Sequence, residues 1–297
     1  MMHRSLPRRS VLVASGLLLA LSTFALRPGE GPNAGAQVNP WSAVNKGLHG
    51  DRITMLETVG DPAQAPRDAL IVTEDHGLLR VLGGGQSVQP SPLPEGPKGR
   101  PQVLTLATAP DDATGLKLYA GTSQEPVLLR STDGGASWEA LPPPLNMTRI
   151  EYLVALGGGR LVAASSATPL TYMYSDDDGQ SWVGRSVLAF EATEPIVALL
   201  RNQEGSRAYL RSGSTLYASD TGAEPWTQVL APGTHGLPDK AALGLVATGS
   251  GGRLLAIGLT GSAETKAMQL LISQDGGQNW KPQAAPEGPE PTQLLIV

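Results

Sequence analysis

Short apolar runs separated by glycine-rich or polar turns recur along the chain. Residues 127–130, 171–174, 215–218 and 269–272 are such runs, and a polar stretch rich in Asp and Gly follows each of them. Further upstream, 152–156 and 161–164 flank Gly157, Gly158, Gly159 and Arg160, while 243–248 and 254–259 flank 249–253 in the same way. A three-glycine link between two β-rich runs is hairpin chemistry, because glycine reaches the positive φ that tight turns require. The pattern predicts a repeated unit: strand, glycine turn, strand, loop, strand, polar turn, strand.

The polar turns are themselves repeats. STDGGASW at 131–138, SDDDGQSW at 175–182 and SQDGGQNW at 273–280 align without gaps as Ser-x-Asp-x-Gly-x-(Ser/Asn)-Trp. The aligned positions are Ser131, Asp133, Gly135 and Trp138; Ser175, Asp177, Gly179 and Trp182; and Ser273, Asp275, Gly277 and Trp280. A degenerate copy at 219–226 keeps Ser219 and Trp226 but has its acid and glycine one place early, and another at 81–88 ends in Val88. The anchors 88, 138, 182, 226 and 280 are 50, 44, 44 and 54 residues apart, a period that suits four short strands per unit. The residue types suit a structural role: Ser and Asp oxygens accept from turn amides, and an indole starting the outer strand packs between neighbouring sheets. The run Asp176, Asp177, Asp178 lacks the alternating spacing and distant Glu of a calcium loop, so no metal site is expected there.

The eight-residue pattern resembles the Asp box of the sialidase, sortilin and photosystem II assembly-factor propellers. That resemblance implies an all-β fold, a β-propeller of five to six four-stranded blades. The stretch 41–48, led by Trp41, reads as an outer strand and 292–297 as an inner one, so the two termini are expected to pair in a composite blade.

Composition fits. The 36 Gly and 25 Pro supply the turns, and four of the five Trp stand at the repeat anchors. There is no cysteine, which removes disulfides, thiolate metal sites and a Cys nucleophile. The N-terminus carries Arg4, Arg8 and Arg9, an uncharged stretch over 11–26 and the small-x-small run Ala34, Gly35, Ala36. Residues 1–36 are therefore expected to be an export signal for the general or the twin-arginine route, cleaved or retained as an anchor, with 37–297 forming one propeller domain. The expected location is periplasmic or extracellular. Four of the 22 basic residues and one of the 27 acidic ones lie in the signal, so the remainder carries −8, which disfavours nucleic acid as partner.

For function, one recurrence stands out. A basic residue opens each second strand: Arg67, Lys117, Arg160, Arg207 and Arg253. These cations are expected to form a ring on the side of the Asp boxes, with Arg149, Arg201 and Arg211 adding to it, and to dock an acidic protein segment. The opposing expectation is that their long side chains cover the hairpin turns and pair with nearby Asp. Mouth loops carrying Glu74, Asp75, His76, Glu125 and Glu264 are read as solvated turns. A sialidase would need an arginine triad, a Tyr paired with Glu and an Asp acid/base, and the family's Arg-(Ile/Leu)-Pro signature is absent. The expectation is a non-enzymatic, cofactor-free scaffold that binds a protein, soluble or at a membrane, with a carbohydrate-active propeller as the alternative.

Overall fold

A computed structural model of the chain describes residues 52–61, 67–165, 171–185, 194–261 and 266–284. The export signal, Trp41, Glu264 and the 292–297 run lie outside the described residues, and so does the composite blade built from them.

The described residues form five antiparallel sheets, each a meander of four consecutive strands. Blade 1 holds β1 (Ile53–Val59), β2 (Asp68–Thr73), β3 (Gly77–Leu82) and β4 (Ser87–Pro90). Blade 2 holds β5 (Val103–Thr108), β6 (Leu118–Thr122), β7 (Leu128–Ser131) and β8 (Glu139–Ala140). Blade 3 holds β9 (Tyr152–Ala155), β10 (Leu161–Ser165), β11 (Thr171–Ser175) and β12 (Val183–Arg185). Blade 4 holds β13 (Ile196–Arg201), β14 (Ala208–Ser212), β15 (Thr215–Ser219) and β16 (Thr227–Leu230). Blade 5 holds β17 (Ala242–Thr248), β18 (Leu254–Gly261), β19 (Lys266–Ser273) and β20 (Lys281–Ala284).

The second strands β6 and β10 are buried at every position, because each blade is sandwiched between neighbours and neither face of its middle strands meets water. The outer strand β8 is exposed. The first strands of successive blades lie side by side. They also meet across an axis: Arg201 Nη2 of blade 4 donates to Thr108 Oγ1 of blade 2 at 3.1 Å, and Thr108 Oγ1 donates to Glu57 Oε1 of blade 1 at 2.9 Å. Glu57 is 2% exposed.

Four apolar clusters fill the four seams between successive blades. Each anchor tryptophan packs into the seam with the preceding blade: Trp138 with blade 1, Trp182 with blade 2, Trp226 with blade 3, Trp280 with blade 4. Trp226 meets Tyr172 edge-on at 6.2 Å. The first unit departs from the expected alignment. Its turn closes after four residues, Gly83 to Gln86, with Leu82 opposite Ser87 and Val81 opposite Val88. Val88 therefore lies inside β4 rather than in the tryptophan's place, and the turn amides are met by Leu82 O and by Asp68 Oδ1, which accepts from Gly83 N at 2.7 Å.

Candidate functional site

In a four-stranded meander the first and third turns share one edge of the sheet, and the second turn lies on the other. The eight-residue motifs and the hairpins after the first strands therefore share one face, called here the turn face. The second-to-third loops and the links between blades form the mouth face.

On the turn face the three full motifs are superposable networks. Ser131 Oγ accepts from Gly135 N at 2.8 Å and donates to Asp133 Oδ1 at 2.8 Å, while Asp133 takes Ser137 N at 2.9 Å and Ser137 Oγ at 2.6 Å. Ser175 and Asp177 repeat the arrangement with Gly179 and Ser181, and Ser273 and Asp275 repeat it with Gly277 and Asn279. Gly135, at φ +82°, is required twice over: a Cβ there would also stand 2.8 Å from Leu70 Cδ2 of blade 1. In the degenerate copy Thr221 replaces the acid, its N–H bonding Ser219 Oγ at 3.2 Å and its Oγ1 accepting from Ala223 N at 3.2 Å. Asp220, the acid that came one place early, instead faces Arg207 at 3.3 Å.

These carboxylates are held ionised. The Ser181 hydroxyl and amide bring Asp177 down to about 2, and the Asn279 amide and side chain do the same for Asp275. A carboxyl group depressed in the folded state contributes stability above its unfolded value, near 3.9, and loses it as pH falls through its folded value. The expected outcome is that both motifs stay intact down to about pH 4 and loosen between pH 4 and 2. Side-chain carboxyl NMR titration checks it; midpoints near 4 would contradict the networks.

All five ring cations lie where the strand pattern puts them, immediately before β2, β6, β10, β14 and β18. Most of them reach into the protein. Lys117 Nζ donates to Asp178 Oδ1 of blade 3 at 2.6 Å, and Tyr119 Oη donates to the same oxygen at 2.7 Å. Arg160 donates to the Asp176 carboxylate and to the Thr221 carbonyl of blade 4, and its guanidinium lies 4.8 Å from the Tyr174 ring centre. Arg67 Nη2 donates to Gly60 O at 3.1 Å. Arg207 sits 5.9 Å from the Tyr209 ring centre beside Asp220, and its Nε is buried without a hydrogen-bond partner. Arg253 is exposed, with one long contact to Ser250 Oγ at 3.4 Å.

Asp178 escaped the sequence reading. It is the fourth residue of its motif, where the other copies have Gly134, Gly222 and Gly276, and it takes the same positive φ of +59°. An acid kept in that conformation implies a partner for its side chain. Burial first, then the Asp178 carboxylate, push the Tyr119 phenol far above its ordinary value, so Tyr119 remains a donor.

Arg149 and Arg211 are corrections. The first precedes β9 and the second is the penultimate residue of β14, and both positions belong to the mouth face. There Arg149 Nη2 pairs with Glu151 Oε1 at 2.7 Å, and Arg211 donates to the Leu243 carbonyl of blade 5. Tyr152 lies within the field of Glu151, Arg211 and Arg149, and burial, followed by Glu151, raises its phenol above the usual range. Arg201 does lie on the turn side, folded into the axis. Glu74 pairs with Arg52 at 3.2 Å. Among the described residues no three His, Cys, Asp or Glu side chains are grouped to hold a metal ion.

Five meandering blades meeting at an axis define a β-propeller. Residues 103–290 match the DUF6242 beta propeller domain, and the chain belongs to that family. No curated protein matches the chain by sequence. Among solved structures it is similar to a GH74 xyloglucanase from Xanthomonas campestris, at 17% identity and a TM-score of 0.51, over 77% of this chain and 45% of that one. It is also similar to YCF48 bound to D1 peptide, at 20% identity and a TM-score of 0.47, over 76% of this chain and 85% of that one. YCF48 from Cyanidioschyzon merolae gives 15%, 0.47, 78% and 85%.

Proposed function

We propose that this propeller is an exported, non-enzymatic scaffold that docks a protein partner on its turn face. The eight-residue motifs are then Asp boxes of the sialidase-type repeat, used to brace blades rather than to bind substrate. The observation that carries the reading is that, of the cations recurring once per blade on that face, Arg253 on blade 5 is exposed and has only one long side-chain contact. On a chain that is otherwise acidic, such a patch favours an acidic segment of the partner. In this reading residues 1–36 act as an export signal, and the encounter takes place in the periplasm or outside the cell, with the chain free or held by a retained signal.

Arg253 is the member whose replacement disturbs the seams least. Arg253→Glu is expected to leave the melting temperature within about 2 °C and to weaken partner binding at least tenfold, about 1.4 kcal/mol. Co-purification from the native compartment, with the complex weighed by native mass spectrometry, reads the result. A complex of unchanged yield would refute docking at this patch.

The gathering of Tyr152, Glu151, Arg149 and Arg211 on the mouth face favours a second reading, a carbohydrate-active propeller. Two features weigh against hydrolysis. Glu151 is committed to Arg149, and Tyr152 is held as a phenol when a nucleophile needs a base to take its proton. Glycan binding or cleavage that Tyr152→Phe abolished would favour this second reading.

A further inference from the structure

The seam between blades 4 and 5 repeats the seam between blades 2 and 3 with one part missing. In the earlier seam Asp111 Oδ2 accepts from Gly158 N at 2.8 Å; in the later one Glu204 Oε1 accepts from Gly251 N at 2.7 Å. Lys117 and Tyr119 of blade 2 correspond to Arg207 and Tyr209 of blade 4, each cation two residues before its tyrosine and opening the second strand. Asp178 N bonds Gly159 O at 2.9 Å, and Gly276 N bonds Gly252 O at 2.8 Å, so the fourth motif residue is held identically. Its φ is +59° at Asp178 and +71° at Gly276.

The difference is the side chain. Asp178 fills its seam with a carboxylate that takes hydrogen bonds from both Lys117 and Tyr119. Gly276 brings nothing. A Cβ at 276 would stand 3.2 Å from Arg207 Nη1 and 3.5 Å from Tyr209 Oη, so it would aim at the same two donors. What remains is a cleft of about 320 Å³ whose lining includes Arg207, Tyr209, Asn202 and Gly276 together with two acids, Asp220 and Asp275. Tyr209 is 1% exposed, and its hydroxyl makes no hydrogen bond within the described residues. The buried Arg207 Nε is likewise unpartnered. The Arg207 guanidinium and the Tyr209 hydroxyl thus line the cleft as donors, with only the exposed Asp220 set against the arginine.

We propose that this cleft is a carboxylate socket, which receives from outside the group that Asp178 supplies from within. The ligand class is a carboxylate on a short arm, either the side chain of an Asp in a partner segment or a free small acid. The two neighbouring acids do not close it. Asp275 is turned into its own motif, accepting from Ser273 Oγ, Asn279 N and Asn279 Nδ2. Asp220 is well exposed and 3.3 Å from Arg207, against 2.6 Å for Lys117 and Asp178, so an incoming carboxylate displaces it at little cost. The socket goes beyond the docking reading and holds with or without a protein partner, so loss of docking at Arg253 and loss of the socket are separate results.

The test is an NMR titration of the full chain with acetate, with N-acetylaspartate amide and with N-acetylasparagine amide, followed at the Gly251 and Gly276 amides and the Tyr209 ring. Saturable shifts with the two acids and none with the asparagine analogue are expected. Equal affinity for acetate and the aspartate amide would identify a free small acid as the ligand, while a roughly tenfold gain for an Asp-containing peptide would identify a partner segment. Gly276→Asp is expected to abolish the shifts, because the protein then fills its own socket, while the strain of a side chain at φ +71° offsets any gain in melting temperature. Tyr209→Phe, which removes a hydroxyl unused in the fold, should keep the melting temperature and weaken the acids by about fivefold. Asp178→Gly should create a second site, seen as new shifts at Gly158 and Gly159. Equal response to acid and amide, or carboxylate binding that survives both Gly276→Asp and Tyr209→Phe, would overturn the proposal.

Discussion

Trp138→Ala is expected to lower the free energy of unfolding by about 3–5 kcal/mol. The indole is 9% exposed and lies among Leu70, Leu78, Leu93, Leu118 and Leu129, so its removal opens a cavity between blades 1 and 2 that neither rigid sheet can close. It also breaks a chain of hydrogen bonds: Trp138 Nε1 donates to Ser91 Oγ at 2.8 Å, and Ser91 Oγ donates to Gly135 O at 2.6 Å. Truncation leaves the buried Ser91 short of a donor, adding to the cavity cost. Trp182 is half-buried and bonds only Gly179 O at 3.2 Å, so Trp182→Ala should cost clearly less. Urea denaturation of the two variants beside the parent gives the comparison. A loss below about 1 kcal/mol at Trp138 would mean that the seam does not depend on its ring.

Arg201→Ala should be comparably damaging, at about 3–5 kcal/mol, because it breaks one side of a buried charged group. Arg201 Nη1 donates to the carbonyls of Asn202 and Gln203, each at 3.0 Å, and Nη2 reaches Thr108 Oγ1, which bonds Glu57. Thr248 Oγ1 of blade 5 donates back to Arg201 O at 2.6 Å. One arginine thus ties blade 4 to blades 1, 2 and 5 at the axis. Burial lowers its guanidinium from the ordinary value, and Glu57 and then Glu204 oppose that shift. Without it the buried Glu57 carboxylate loses the opposing charge of this guanidinium. The double variant Glu57→Gln with Arg201→Met should recover part of the loss, since neither charge is then stranded. A single variant as stable as the parent in the same denaturation series would show that the axial group contributes nothing.

The parts of this fold that could be read from the chain are those set by local chemistry. Ser131, Asp133 and Gly135 satisfy one another within a few residues, so their spacing alone foretells the turn, and the tryptophan that follows must enter the seam. Arg67 through Arg253 mark the starts of second strands for the same local reason. The destination of those side chains was not legible. Lys117 finds Asp178 across a seam and 61 residues away, a pairing that depends on how blades stack. The signal was present nonetheless, in an aspartate standing where sister motifs have glycine. Arg211 was misplaced for a simpler reason: strand direction carries the end of each second strand to the mouth face, and counting strands would have put it there. Glu57 went unread although a lone acid within the apolar strand ITMLETV asks for a partner.

Site-specific photocrosslinking tests most directly the claim that the turn face is the working one. A benzophenone amino acid is placed at 253 on the turn face or at 76 on the mouth face, and the full chain is irradiated in its native compartment. The account predicts a discrete protein adduct from position 253, lost when Arg207 is changed to Met, and none from position 76. An adduct confined to position 76, or one that is a glycan rather than a protein, would contradict it.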